Sequence, residues 1–290
     1  MTDKSLQLTG KSLQRNQINI KSLKEKFIKG LIYFSVFLTF GIVLWILVHI
    51  VFNGFVKANK MNILSGDESI LPILMNTFYI VVLAVFISTP IGIWTAIYLN
   101  EYAGKSKLVH LIRFAIQSLA GIPSIIFGLF GMIVFVVGLN LNWSILSGAL
   151  TLSIMILPII IKTTEEALKT VPLSIREGSL ALGASKLRTI KGVVIPSALP
   201  GIIISIILSI GRIVGETAAV YLTAGMVPRL AGSPLESGRT LSVHLYILAK
   251  EGVSFESAYF TATILVIFIL FVNMISNKLA KKYNKKLKGN

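Results

Sequence analysis

Residues Leu71–Leu99 read LPILMNTFYIVVLAVFISTPIGIWTAIYL and contain no charged side chain. A helix needs about 20 apolar residues to cross the bilayer core, so this stretch is long enough to span it once. The chain has five further apolar runs, and the six together predict an all-α polytopic membrane protein: Phe27–Phe52, Leu108–Leu139, Ile145–Ile161, Ser197–Ala224 and Phe255–Ser276. In the third run, Pro123 follows Gly121, which predicts a kink or break there.

The segments around these spans divide the chain. We expect residues 1–26 to be a flexible basic tail, 27–69 the first span with an external loop, 70–276 a transmembrane domain, and 277–290 a second basic tail. Within the transmembrane domain, the polar connection 162–191 mixes charged residues with alanine and leucine, which favours short amphipathic helices. A connection this long is commonly functional. The alternative is a helix lying on the membrane surface.

The net charge of +16 could suggest nucleic-acid binding, but the positions of the basic residues indicate a different cause. Alternate segments between spans, counted from the N-terminus, hold 22 lysines and arginines, and the other segments hold 5. The positive-inside rule therefore predicts that both termini are cytoplasmic and that loop 225–254 is external. We expect the membrane to be a bacterial or archaeal cell membrane. We find no nucleic-acid motif. The absence of cysteine excludes disulfides and thiolate catalysis.

One basic residue, Arg212, lies inside the fifth apolar run, in the stretch GRIVGETA of residues 211–218. It is four residues from Glu216, so on a continuous helix the two would share a face near the middle of the span. A charge at mid-span costs about 2.5–3.5 kcal/mol on insertion scales, and such residues normally face a cavity or a partner. These residues predict an anion pathway. The alternative is an internal ion pair that only holds helices together.

The cytoplasmic segment carries a spaced pattern: Glu177-Gly178-Ser179, then Gly183, then Val193-x-Ile195-Pro196. It resembles the signature loop of ABC-importer permeases, in which Glu and two small residues are followed by three variable residues, a glycine, nine variable residues and then aliphatic-x-aliphatic-Pro. Gly178 and Ser179 stand where that family favours alanine. The resemblance implies that this loop docks on an ATPase subunit, and we expect residues from about Arg176 to Leu187 to form the docking helix.

Other stretches resemble the phosphate branch of that family, and its PstA-type subunit more than its PstC-type partner: GIPSIIFGLFG at 121–131, KTTEE at 162–166, GRIVGETA at 211–218 and RTLSVHLY at 239–246. The resemblance covers about residues 70–276 and implies a type I ABC importer permease fold. Lys162 stands where the family usually has arginine. Lysine keeps the charge but loses the two-pronged fork. We therefore expect Lys162, Arg212 and Glu216 to line the substrate pathway.

The resemblance implies a permease subunit that forms half of a phosphate pathway. The expected partners are a PstC-like permease, a dimer of PstB-like ATPase subunits, a PstS-like phosphate-binding protein and the lipid bilayer. ATP and Mg²⁺ would bind the ATPase, and this chain would hold no cofactor or metal. Gly10-Lys11-Ser12 is not a P-loop, because Ser5 stands where the motif needs glycine. We find no enzyme motif.

Two alternatives remain open. The chain could belong to an importer for another oxyanion, such as sulfate or molybdate. It could also be an ion-coupled secondary transporter with Arg212 and Glu216 in an ion relay. The register from Glu177 to Pro196 argues against the second, because a self-powered carrier needs no ATPase-docking loop.

Overall fold

Helices make up the regular structure of the residues that the computed structural model describes: 3–58, 69–104, 106–252 and 254–287. Five helical segments are long and apolar enough to cross a membrane, and a bent helix pair can supply a sixth crossing. The five are Glu25–Val56, Ile70–Tyr102, Ile145–Lys169, Lys186–Val214 and Phe255–Ile275. The predicted all-α membrane fold is therefore confirmed.

The chain falls into two compact units, residues 1–53 and 54–290. Helix α1 (Asp3–Ala58) provides the first unit and contains the first span. The expected basic tail at residues 1–26 is helical where the chain is described, since α1 begins at Asp3. This segment has no proline and is rich in leucine, lysine and glutamine, so the helix of the span can continue through it.

The second unit begins with α2 (Ile70–Ile97), which continues into a π-helical turn, Tyr98–Tyr102. Helix α3 (Lys107–Ala120) and helix α4 (Ser124–Gly131) follow, and α4 continues into a second π-helical turn, Met132–Gly138. The two parts of this third span meet at 104° around residues 121–123, which confirms the predicted break. Proline cannot donate the backbone hydrogen bond that would continue α3.

Helix α5 (Ile145–Lys169) is central to the second unit, where it packs against α2, α3 and α4 and against two of the helices that follow it. The bent pair runs along it: Arg113 of α3 pairs with Glu165 near one end, and Gly131 of α4 lies against Thr151 nearer the other end. This antiparallel path favours one broken span over a re-entrant loop for α3 and α4. The helix also extends beyond the predicted end at Ile161, and a Glu165–Lys169 ion pair of 2.8 Å supports its last turns.

The connection after α5 is shorter than the predicted 162–191 and consists of separate helices. Helix α6 (Leu173–Ala181) and helix α7 (Lys186–Thr189) flank Gly183, whose φ is +80°. The stretch from Arg176 to Leu187 therefore forms parts of two helices and not the one helix predicted, and its docking on an ATPase stays a prediction. Only glycine adopts this left-handed backbone without cost, so the chain turns there.

A third π-helical turn, Ile190–Val194, leads into α8 (Ile195–Val214). Helix α9 (Ala218–Thr223), helix α10 (Leu241–Lys250) and helix α11 (Phe255–Leu287) complete the chain. The predicted fifth span, Ser197–Ala224, is thus two helices with a break at residues 215–217. Small side chains bring α8 close to α5: Gly201 lies against Ala167, and the hydroxyls of Thr164 and Ser205 are 3.3 Å apart.

Candidate functional site: a helix break and a neighbouring cavity

Arg212 lies in the last turn of α8, two residues before the helix ends at Val214. The sequence suggested that Arg212 and Glu216 share one continuous helix, but α8 ends between them. Its side chain is 51% exposed, and one guanidinium nitrogen is 4.0 Å from Oε2 of Glu216. A cation in the last turn of a helix is favoured by the partial negative charge of that helix end.

Glu216 lies in the break between α8 and α9, and only 7% of its side chain is exposed. Its Oε1 accepts a hydrogen bond of 3.4 Å from the backbone N–H of Ala219, in the first turn of α9. Its backbone carbonyl accepts a bond of 2.7 Å from the hydroxyl of Ser242 on α10. Glu216 therefore caps α9 and joins the break to α10. Both hydrogen bonds are shorter than its 4.0 Å contact with Arg212.

The register between α5 and α8 gives the depth of the break. Ser205 lies beside Thr164 and Gly201 beside Ala167, so the antiparallel register brings Arg212 level with about residue 156, the middle of α5. The break therefore interrupts the helical bundle at half its depth. Interrupted helices occur at membrane depth only where protein or a cavity satisfies the freed backbone groups, as Ser242 does here.

Lys162 projects from α5 into a cavity of about 260 Å³ between α3 and α5. The polar side chains around this cavity include three cations and two carboxylates: Arg113, Gln117, Lys162, Glu165, Glu166 and Lys169. Glu165 is buried and pairs with both Arg113 and Lys169. Within the described part of the chain no ion pair joins Lys162, which is exposed. The cavity therefore has a cation that is free to meet an anion.

The structure does not bring Lys162 and Arg212 into contact. By the α5–α8 register, Lys162 is level with about residue 207, so five residues of helix, or about 7.5 Å, separate the two levels. The predicted pathway residues therefore form two cationic positions at different depths. Their roles in transport stay predictions.

The signature residues of the loop are largely exposed. Glu177 and Gly178 on α6 are at the surface, and no hydrogen bond or ion pair of the Glu177 side chain is found among described residues. The Ser179 hydroxyl is 3.0 Å from that of Thr189, which joins α6 to α7. Pro196 lies in the first turn of α8, directly after the π-helical turn Ile190–Val194. A loop with outward-facing signature residues suits contact with another subunit.

Sequence reasoning missed a polar cluster in the connection between α9 and α11. His244 on α10 is buried, and its Nδ1 is 3.2 Å from the Arg239 guanidinium. Burial, and then the charge of Arg239, lower the pKa of His244 to about 4. The imidazole is therefore neutral near pH 7 and can accept the Arg239 hydrogen bond. The stretch 239–246 stood out only through its resemblance, because no spacing rule pairs these two residues.

The model of the family described as "binding-protein-dependent transport system inner membrane component" matches residues 88–289. The chain belongs to this family. Its members are the membrane subunits of ABC importers, which work with an ATPase and a substrate-binding protein. This chain is accordingly a multi-pass membrane permease of that kind.

Relatives of this permease include a probable ABC transporter permease and PstA-type phosphate permeases. It is 32% identical over 292 residues to the probable ABC transporter permease protein YqgI of Bacillus subtilis, covering 93% of this chain and 99% of the relative. It is 34% identical to the phosphate transport system permease protein PstA homolog of Mycoplasma pneumoniae, covering 92% of this chain but 42% of that longer protein. It is 30% identical to PstA of Haemophilus influenzae, covering 87% and 92%. The resemblance to PstA-type ABC permeases is confirmed.

Solved structures show the same fold at low identity. The permease superposes on a chain of the inward-facing MetNI methionine ABC transporter with a TM-score of 0.61 and 18% identity, covering 72% of this chain and 93% of the other. A chain of a bacterial alginate ABC transporter gives 0.60 and 16%, covering 92% and 95%. The type I ABC importer permease fold is therefore confirmed.

Proposed function

We propose that this chain is the permease subunit of an ATP-driven phosphate importer, in which it forms half of the transmembrane phosphate pathway and couples to a separate ATPase. The observation that carries the proposal is Arg212: a half-exposed guanidinium at a helix break midway through the bundle, 4.0 Å from its nearest carboxylate partner. Guanidinium can donate two parallel hydrogen bonds to two oxygens of one oxyanion. The PstA names of its relatives favour phosphate among oxyanions.

The proposed pathway uses two cations in succession. A phosphate anion is strongly disfavoured in a low-dielectric interior unless a counter-charge meets it. Arg212 would meet it at mid-depth, and Lys162 would meet it about 7.5 Å further toward the cytoplasmic loop. Glu216, 4.0 Å from Arg212, would weaken the hold on the anion. A conducting site must release its ion, so weak binding at each position suits transport.

The partners follow from this function. A second, PstC-like permease would complete the pathway, and a PstS-like protein would deliver phosphate from outside. Two PstB-like ATPase subunits, which bind ATP and Mg²⁺, would dock on the loop that carries Glu177, Gly178, Ser179 and Gly183. The distribution of basic residues, with the bent helix pair counted as a sixth crossing, favours cytoplasmic termini. This chain itself would hold no cofactor.

Reconstitution of the complete complex in proteoliposomes tests the proposal. We expect import of radiolabelled phosphate that requires ATP and the phosphate-binding protein, and that excess sulfate or molybdate does not suppress. Preferential import of sulfate or molybdate would assign the chain to another oxyanion importer. Phosphate import driven by an ion gradient without ATP would contradict the proposal altogether.

A further inference from the structure

The π-helical turn Tyr98–Tyr102 at the end of α2 receives side chains from three other helices. Arg113 of α3 donates a hydrogen bond of 3.2 Å to the carbonyl of Leu99. Arg176 of α6 forms an ion pair with Glu101. Lys186 of α7 lies over the Tyr102 ring, with its Nζ 4.8 Å from the ring centre. Such π-helical turns are frequent at functional sites, and this one joins the cytoplasmic loop to the transmembrane helices.

The Arg176–Glu101 pair is the most enclosed of these contacts. The Arg176 side chain is 15% exposed and that of Glu101 is 8% exposed. Arg176 also donates a bond of 2.6 Å to the carbonyl of Leu168 at the end of α5. Helix α6 buries none of its residues, so Arg176 is the side chain by which it reaches into the bundle. Loss of either partner would leave a buried charge alone, which is strongly unfavourable.

The contacts continue from the turn to the cavity. Besides its bond to Leu99, Arg113 pairs with the buried Glu165, and both line the cavity that contains Lys162. A contiguous set of polar contacts therefore runs from α6 through the π-helical turn and Arg113 to that cavity. Contiguity permits energetic coupling, and measurement of the coupling has to establish it.

We propose that the π-helical turn Tyr98–Tyr102 receives the movement of the cytoplasmic loop and passes it to the cavity at Lys162, with Arg176 and Glu101 as the positioning residues. This inference rests on the proposed function, because it requires an ATPase that moves the loop. A displacement of α6 would pull on Glu101, shift the turn and, through Leu99 and Arg113, alter how Glu165 and Lys162 face the cavity.

The test is the number of phosphate ions imported per ATP hydrolysed by the complete complex in proteoliposomes. We expect Glu101→Gln and Arg176→Gln each to lower this ratio about fivefold or more, and the double variant to be no worse than the poorer single one. Tyr102→Leu removes the ring beneath Lys186 at a residue that is 47% exposed, so it should lower the ratio without disturbing the core. Lys107→Gln is the matched control, since this exposed lysine has no ion pair within the described ranges.

The outcomes separate this inference from the proposed function. If import and ATP hydrolysis fall in equal proportion with complex yield, the residues only stabilise the fold and the inference is wrong. It is also wrong if Tyr102→Leu and both charge variants keep the wild-type ratio. Failure of the wild-type complex to import phosphate would instead overturn the proposed substrate, and the ratio would then be measured with the oxyanion that is imported.

Discussion

Arg212 and Glu216 each lie at the helix end that suits their charge. Arg212 is in the last turn of α8, and Glu216 caps the first turn of α9. The negative end of one helix dipole and the positive end of the next therefore stabilise the two residues separately. Since 4.0 Å separates the two groups and each is stabilised at its own helix end, we expect assembly to depend little on the ion pair between them. Arg212 is consequently available for another anion.

Replacement of Arg212 should separate transport from assembly. We expect Arg212→Gln to lower phosphate uptake at least tenfold while complex yield stays within about twofold, because little stability depends on the pair. Arg212→Lys should keep partial uptake if a point charge is enough, and little if the fork is required. Uptake of radiolabelled phosphate and the yield of purified complex are the two measurements.

Arg229→Gln is the matched control, since Arg229 is an exposed arginine whose side chain has no ion pair among the residues described. The ion-pair alternative makes the opposite forecast. It requires Arg212→Gln to impair assembly and the double variant with Glu216→Gln to restore both assembly and uptake. Full uptake by that double variant would leave Arg212 with a structural role only.

Charged residues inside an apolar run could be predicted from the sequence, whereas contacts between distant segments could not. Arg212 and Glu216 were visible because a charge inside an apolar run is rare and costly. The partnership of Arg176 and Glu101 was not visible, since 75 residues separate them and no local rule connects the end of α2 to the loop. The tight contact of Gly201 with Ala167 likewise depends on the register of two helices, which the sequence of either one leaves open.

At the scale of elements, the loop between α5 and α8 is a pair of short helices around a left-handed glycine. Gly183 has a φ of +80°, and a side chain added there would meet nothing within 4 Å in this chain. A large side chain at Gly183 would therefore clash with a docked partner and not with the permease itself. A non-glycine residue also pays about 1–2 kcal/mol for the left-handed backbone, so bulk and strain must be separated.

We expect Gly183→Trp to reduce ATP-coupled phosphate uptake tenfold or more while the permease still assembles in the membrane, because the indole would occupy the docking surface. Gly252→Trp is the matched control: Gly252 is also left-handed, with φ +65°, also open, and lies on the connection between α10 and α11. Gly183→Asn, which tolerates the left-handed backbone, should stay within about twofold of wild type. Wild-type uptake by Gly183→Trp in a complex of normal composition would refute docking at this loop.

Element boundaries show why apolar runs predict spans better than helix ends. The break at Pro123 was predictable, because proline removes a backbone donor. The end of α8 at Val214 was not predictable. The helix stops at Gly215 and the capping residue Glu216, and neither residue type by itself excludes a continuous helix. The extension of α5 to Lys169 depends on Arg113 and Lys169 pairing with Glu165, of which only the second pairing is local.

At the scale of the whole chain, the topology depends on the bent α3–α4 pair. The contacts of Arg113 with Glu165 and of Gly131 with Thr151 place the pair along α5 in the antiparallel direction. If the pair is one crossing, the total is six, and the two ends of the chain lie on the same side. A re-entrant pair would instead exchange the sides of the loops that follow it, so the positions of those loops test the crossing directly.

Single cysteines can report these sides, because the chain has no cysteine of its own. We expect Ser233→Cys to react with a membrane-impermeant maleimide in intact cells, and Ser12→Cys and Leu182→Cys to react only after permeabilisation, with Leu182 chosen because it is 90% exposed. The basic residues favour this orientation, since 22 of them would lie inside and 5 outside. If Leu182→Cys reacts in intact cells while Ser12→Cys and Ser233→Cys do not, the pair is re-entrant. If Ser12→Cys reacts and Ser233→Cys does not, the whole orientation is reversed.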